Sequence, residues 1–182
     1  MKLLLVRHGE TEENTKDLIQ GQSVQGNLNE KGVKQAKKIS DSLRDFKIDF
    51  IYSSDLKRAL ESSKIILKNH PESLFKLMKQ VRERNFGDFE GKTEEEVDFE
   101  NIKMRYQKGF EAPPRGEGLR EFYKRVRGFF EFLKTKHSND CVLIVSHKNF
   151  IRTLIGIVNG KKPEEVWDFG RISNEKFYEF EI

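Results

Sequence analysis

The sequence predicts an α/β fold: a three-layer α/β/α sandwich with a mostly parallel central sheet. Two patterns point there. Short apolar runs that read as buried strands, Leu3 to Val6, Ile48 to Tyr52 and Cys141 to Val145, each stop abruptly in polar residues. Between them lie longer stretches whose apolar residues recur every three or four positions, the signature of amphipathic helices. Strands alternating with helices favour parallel pairing covered on both faces.

The first run, Lys2-Leu3-Leu4-Leu5-Val6, ends in Arg7-His8-Gly9. A polar stretch without clear period follows through Asn14 and Gln20-Gly21 to Gly26. Val33, Ala36, Ile39, Leu43 and Phe46 then mark a first helix, with Asn29 as its N-cap. Ile48 to Ser53 reads as the second strand. Leu56, Ala59, Leu60, Ser63 and Leu67 mark a second helix, begun by Ser54 or Asp55. Leu74 to Val81 is expected to be a third strand, running into Arg82-Glu83-Arg84. Residues from about Asn101 to Gly118 carry Pro113-Pro114 and three glycines without a period, and read as an excursion from the core, a lid candidate. Leu119, Phe122, Val126, Phe129 and Leu133 give the clearest helix. Cys141 to Val145 gives the strongest strand signal, followed by Ser146-His147 and a helix from about Phe150. The alternating tail, Lys176 to Ile182, suits an edge strand.

One domain spanning residues 1–182 is expected, since 182 residues suffice for a core and no repeat or linker interrupts them. The 34 basic and 30 acidic residues leave a formal charge of +4, spread along the chain. That suits a small anionic substrate and argues against nucleic acid. The first apolar run is too short for a signal peptide or a membrane span, so a cytoplasmic protein without membrane contact is expected. Cys141 is the only cysteine, which excludes an internal disulfide or thiolate metal site, and its apolar run makes it a small core residue. No metal-ligand spacing stands out, and no cofactor is indicated. Nothing indicates a homo-oligomer, although nothing forbids one.

In a parallel sheet, strand ends share one edge, where ligands bind. Arg7, His8 and His147 would converge there, with Arg58 reaching back from the first turn of its helix. A positive pocket with two imidazoles suits a phosphate, which guanidinium groups bind bidentately. His70 and His137, in polar surroundings before turns, read as surface residues.

Five blocks in order carry a resemblance. Arg7-His8-Gly9-Glu10-Thr11 with Asn14 and Gln20-Gly21 is the first. Leu28-Asn29 with Gly32 and Gln35-Ala36, and Ser53-Ser54-Asp55-Leu56 with Arg58-Ala59, are the second and third. Glu83 with Phe86-Gly87 and Phe89-Glu90-Gly91, and Val145-Ser146-His147, complete the set. Together they resemble the histidine phosphatase superfamily, in its phosphoglycerate-mutase-like branch, with the phosphatase-type acid segment. The resemblance implies a phosphoglycerate-mutase-like fold and metal-independent hydrolysis of a small phosphomonoester. It implies that His8 carries the phosphoryl group as phosphohistidine, that Arg7, Arg58 and His147 with Asn14 clamp it, and that Glu83 donates the proton. For the attack, His8 needs an unprotonated reacting nitrogen, so its other nitrogen should donate to a backbone carbonyl. Substrate contacts at Gln20 and Gly21 are implied too, Gln20 largely through backbone.

Two departures bear on substrate preference: Lys148 follows the second histidine where glycine is common, and Gly116-Glu117-Gly118 resembles a G-E-S element without its serine. Candidate substrates include α-ribazole 5′-phosphate, phosphoserine, phosphoglycerates and sugar phosphates. Lys103, Arg105, Lys108 and Arg115 could read a second anionic group or simply be solvated. A cofactor-dependent phosphoglycerate mutase is the alternative reading, and a catalytically silent phospho-ligand-binding module a remote one.

Overall fold

The computed structural model describes residues 1–97 and 111–182, apart from the side chains of 167 and 168. In chain order the elements are β1 (Lys2–Arg7), α1 (Glu12–Thr15), α2 (Glu30–Ser42), β2 (Phe50–Ser53), α3 (Lys57–Leu67), β3 (Leu74–Leu77), α4 (Leu119–Lys136), β4 (Cys141–Ser146), α5 (Lys148–Val158) and β5 (Phe177–Glu181). Short 3₁₀ turns at Lys79–Val81, Gly87–Phe89 and Pro163–Asp168 join them.

The five strands form one sheet in the order β3-β2-β4-β1-β5. β1, β2, β3 and β4 pair in parallel, and only the edge strand β5 runs antiparallel, against β1. Alternation along the central strands serves two cores. Leu3, Leu5, Tyr52, Val142 and Ile144 face Phe122, Val126 and Leu133 of α4 and Phe150 and Leu154 of α5. Leu4, Val6, Ile51, Leu143 and Val145 face Ile39 of α2 and Ala59 and Ile66 of α3. Helices on both faces make the expected three layers. Because β1, β2 and β4 are buried on both sides, they are apolar throughout rather than alternating. Among the described residues, no helix is long and apolar enough to cross a membrane.

The structure corrects several local expectations. β3 ends at Leu77, not Val81: its partner β2 ends at Ser53, whose carbonyl accepts the last rung from Met78 N at 2.8 Å. Neither Ser54 nor Asp55 caps α3; Leu56 occupies the N-cap without a side-chain bond. α5 begins directly after His147 rather than near Phe150. α2 stops at Ser42, so Phe46 lies beyond it and packs edge-on against Phe177 of β5. The polar stretch after Gly9 holds a short helix, α1, closed by a reciprocal box in which Thr11 and Asn14 each bond the other's backbone N–H at 3.2 Å.

His70 and His137 are buried, not exposed. His137 reaches Tyr52 Oη at 2.9 Å through Nε2 and Asp140 Oδ2 at 2.8 Å through Nδ1, which makes its burial affordable. Cys141 is half-buried at the start of β4, where burial pushes its thiol pKa up to about 11 and keeps it an unreactive thiol. Of the lid candidate, residues 101–110 lie outside the described residues, so Lys103, Arg105 and Lys108 do too. Arg115 is exposed at φ +58°, its Nε 2.5 Å from Asp88 Oδ1.

Candidate active site

The carboxyl ends of β1 and β4 are locked side by side. Arg7 lies in register with Ser146, and His8 N donates to Ser146 O at 3.0 Å. On the other side of β4, Ser54 N donates to Val145 O at 3.0 Å. This register places His8 and His147 with ring centroids 5.1 Å apart. Behind His8 the chain must pass close to α2: a Cβ at Gly9 would overlap the Gly32 carbonyl, so both positions require glycine. Gly9 N then donates to Ser62 Oγ of α3 at 3.1 Å, fixing the turn.

His8 is fully buried, and its Nδ1 lies 2.7 Å from the Gly9 carbonyl. A carbonyl only accepts, so Nδ1 carries the hydrogen and Nε2 is left with its lone pair. Burial, then the Arg58 and Arg7 charges, holds the His8 pKa well below the ordinary imidazole value of 6.5. The ring is neutral and nucleophilic at physiological pH. His147 is shifted in the same direction by burial, Arg58, His8 and Arg7. Its Nε2 lies 2.8 Å from Ser54 Oγ.

Both guanidiniums are anchored by backbone carbonyls. Arg7 Nη1 donates to Ile172 O at 2.9 Å; Arg58 donates through Nη1 to Val24 O at 3.1 Å and through Nη2 to Gly21 O at 2.8 Å. Burial lowers both pKa values, Arg58 to about 10, and both remain cations at neutral pH. Among the described residues, three buried nitrogens of this cluster have no hydrogen-bond partner: Arg7 Nε, Arg58 Nε and His147 Nδ1. An unpaired buried donor costs about 1–3 kcal/mol, so the two guanidinium nitrogens have a use for an added acceptor.

Glu83 follows the 3₁₀ turn beyond β3 and is buried. Its carboxylate accepts from Arg84 N at 2.8 Å and from Asn149 N, in the first turn of α5, at 3.2 Å. The flanking Arg82 is tied elsewhere, forking onto Asp55 at 2.6 and 2.5 Å. That pairing explains why Asp55 does not cap α3. Arg125 of α4 holds the acid segment from outside, through the carbonyls of Gln80, Arg82 and Glu83 and both oxygens of Glu117.

Arg7, His8, Asn14, Gln20, Gly21, Arg58 and Glu83 line one cleft of about 560 Å³, so seven of the eight candidate residues share it. The eighth, His147, does not line the cleft; it lies fully buried against the His8 ring. Asn14 commits its carbonyl oxygen to Thr11 N, while Gln20 Nε2 donates to Thr11 Oγ1 at 3.0 Å. Gly21 serves by backbone: its carbonyl anchors Arg58, and at φ +48° a Cβ would overlap the Glu90 carboxylate. Leu18, Ile19, Phe86, Glu94, Lys148 and Asn149 also line the cleft. Sequence reasoning did not single out Glu94, Asn149 or Arg125. Only Asn149, two residues past His147, stands near a recognisable signal.

Residues 3–182 match the histidine phosphatase superfamily, branch 1. The chain belongs to that superfamily. It is 33% identical to phosphoserine phosphatase 1 of Hydrogenobacter thermophilus over 175 residues, 93% of this chain and 82% of that one. It is equally 33% identical to the 2,3-bisphosphoglycerate-dependent phosphoglycerate mutase of Bartonella tribocorum over 174 residues, 90% of this chain and 84% of the mutase. The crystal structure of the α-ribazole phosphatase from Shigella flexneri superposes with a TM-score of 0.89 at 29% identity, covering all of this chain and 91% of that one. The superfamily therefore includes phosphatases and mutases alike, both acting on phosphorylated compounds.

Proposed function

We propose that this protein is a phosphatase that hydrolyses a small phosphomonoester through a phosphohistidine on His8, without a metal ion. The observation that carries the reading is the set of three unpartnered nitrogens, on Arg7, Arg58 and His147, around a neutral imidazole whose Nε2 lone pair is free. Phosphoryl oxygens supply the acceptors these donors lack, and two guanidiniums balance the charge that spreads over them during transfer.

In the first step His8 Nε2 attacks phosphorus, an N–P bond forms and the bond to the ester oxygen breaks. The departing alkoxide takes a proton from the Glu83 carboxyl. In the second step the Glu83 carboxylate accepts a proton from water as its oxygen attacks phosphorus. The N–P bond breaks, and inorganic phosphate leaves with His8 restored. Asn14 lends its amide N–H to the phosphoryl oxygens. The substrate is a small phosphorylated metabolite, and one domain performs both steps.

The identity shared with the Bartonella mutase supports a second reading, in which the phosphoryl group returns to another hydroxyl instead of water. One experiment addresses both. Wild type and His8→Ala are mixed, in EDTA, with ³²P-labelled O-phosphoserine and 3-phosphoglycerate, quenched in alkaline detergent and followed to completion. An acid-labile, base-stable label on the wild type alone, decaying to inorganic phosphate, is the expected result. Label that decays into a phosphate-exchanged product would favour the mutase. Turnover retained in His8→Ala, or lost in EDTA, would overturn the mechanism.

A further inference from the structure

Beyond the reacting centre the cleft continues outward. Arg7, Asn14, Leu18, Glu94 and Lys148 line both the catalytic cleft and an adjoining one of about 1720 Å³, which runs on to Arg152, Arg171 and Lys176. Lys148 stands at the junction. It is the first residue of α5, and Arg152 follows one turn later on the same side.

Lys148 is partly buried, and among the described residues it makes no hydrogen bond or ion pair. Glu83 and Glu94 are the acidic groups that act on it, yet neither comes within ion-pair distance. Arg171 likewise has no ion-pair partner among the described residues. Elsewhere in this wall Lys31 pairs with Glu10 at 2.9 Å, Lys176 lies over the Tyr178 ring, and the carboxylates of Asp17, Glu94 and Glu175 also line it. Burial, then Arg7, lowers the Lys148 pKa, with Arg152 adding to the effect, so an anion placed here would relieve cation crowding. Burying an ammonium group is costly without a counter-ion. The geometry therefore has a use for a second negative group, separate from the phosphoryl group held by Arg7, Arg58 and His147.

We propose that Lys148 and Arg171 form a subsite for a second anionic group on the substrate, selecting phosphomonoesters that also carry a carboxylate or a second phosphate. Arg152 adds positive potential from behind while its Nη2 stays on the Gly170 carbonyl at 3.3 Å. The subsite rests on the phosphatase reading for its orientation but not for its test.

The test is binding to protein that cannot turn over. Affinities of O-phosphoserine and O-phosphoethanolamine, which differ by one carboxylate, are measured by calorimetry on His8→Ala. Fructose 1,6-bisphosphate and fructose 6-phosphate, which differ by one phosphate, are measured beside them. Each member with the second anionic group is expected to bind about 10- to 100-fold tighter, the range of one or two charge-assisted bonds. Adding Lys148→Met should collapse that ratio toward one, and adding Arg171→Met should lower it in part, while the partners lacking the second anionic group change less between these proteins. A preference in only one pair would identify the anion as carboxylate or phosphate. Equal affinities within both pairs, or a preference that survives Lys148→Met, would overturn the subsite. Hydrolysis by wild type is scored separately, so failure of the phosphatase reading leaves this result standing.

Discussion

Replacing Arg125 with Met should cripple proton donation while leaving phosphoryl binding largely intact. Its guanidinium donates to Glu117 at 2.8 and 2.8 Å and to the carbonyls of Gln80, Arg82 and Glu83 at 2.7, 3.0 and 3.1 Å. One side chain thus ties α4 to the whole acid segment. The Arg125 and Glu117 side chains are only 20% and 16% exposed, so the pair is weakly screened. Loss of the cation leaves Glu117 with Asn85 N at 3.3 Å, and the Glu83 carbonyl with Gln22 Nε2 at 2.8 Å. Allowing for those surviving partners and for hydration of the rest, the variant should lose about 2–4 kcal/mol of stability. The catalytic signature depends on the leaving group. An alkyl phosphate needs the proton, so its kcat should fall by about 10²-fold or more, toward the full contribution of a general acid. p-Nitrophenyl phosphate releases a stable phenolate and should lose only a few-fold. Glu83→Gln sets the benchmark for that contrast, and Arg125→Lys should not restore it, because an ammonium cannot span five acceptors. The assay compares kcat for both esters across wild type and the three variants, with folding checked by thermal melts. Equal losses on the two esters would refute the reasoning and reduce Arg125 to a structural brace. So would a drop in stability with no loss on the alkyl ester.

Three further outcomes follow from the same structure. His8 and His147 have folded pKa values held well below 6.5, so folding favours their neutral forms. Their stabilising contribution is complete above about pH 6.5 and is lost as pH falls below it, by up to about 1.4 kcal/mol per pH unit per histidine; urea titrations from pH 7.5 to 5 should show this slope, and His8→Asn should reduce it by about one histidine's share. Gly21→Ala must place a Cβ at φ +48° against a carboxylate that holds Gln22 N, Ser23 N and Phe86 N at 3.0, 2.6 and 2.7 Å. It should cost about 2–4 kcal/mol in thermal stability and raise KM by releasing Arg58, and a variant with unchanged KM would contradict the anchoring role of the Gly21 carbonyl. Tyr52→Phe removes the partner of buried His137 Nε2, far from the cleft, and should lower stability by about 1–3 kcal/mol without altering kcat.

What could be read in advance divides along a physical line. Strands, helices and the convergence of Arg7, His8, Arg58 and His147 were legible because each depends on short-range signals: apolar periodicity, and the rule that parallel strands share an edge. Even the Nδ1 hydrogen bond of His8 is local, since its acceptor is the next residue's carbonyl. What stayed hidden depends on partners far along the chain. His137 looked exposed because nothing near it in sequence announces Tyr52, 85 positions away, as its hydrogen-bond partner. Asp55 looked like a helix cap until Arg82 arrived from beyond β3 to claim it. Nothing in the sequence marks Arg125, because three of its acceptors are backbone carbonyls, which carry no residue identity for a reader to notice. The same limit applies to Lys148. Its residue type alone cannot tell a surface charge from a ligand-binding one. The fold decides, by setting it at the mouth of a pocket where, among the described residues, no carboxylate comes within ion-pair distance.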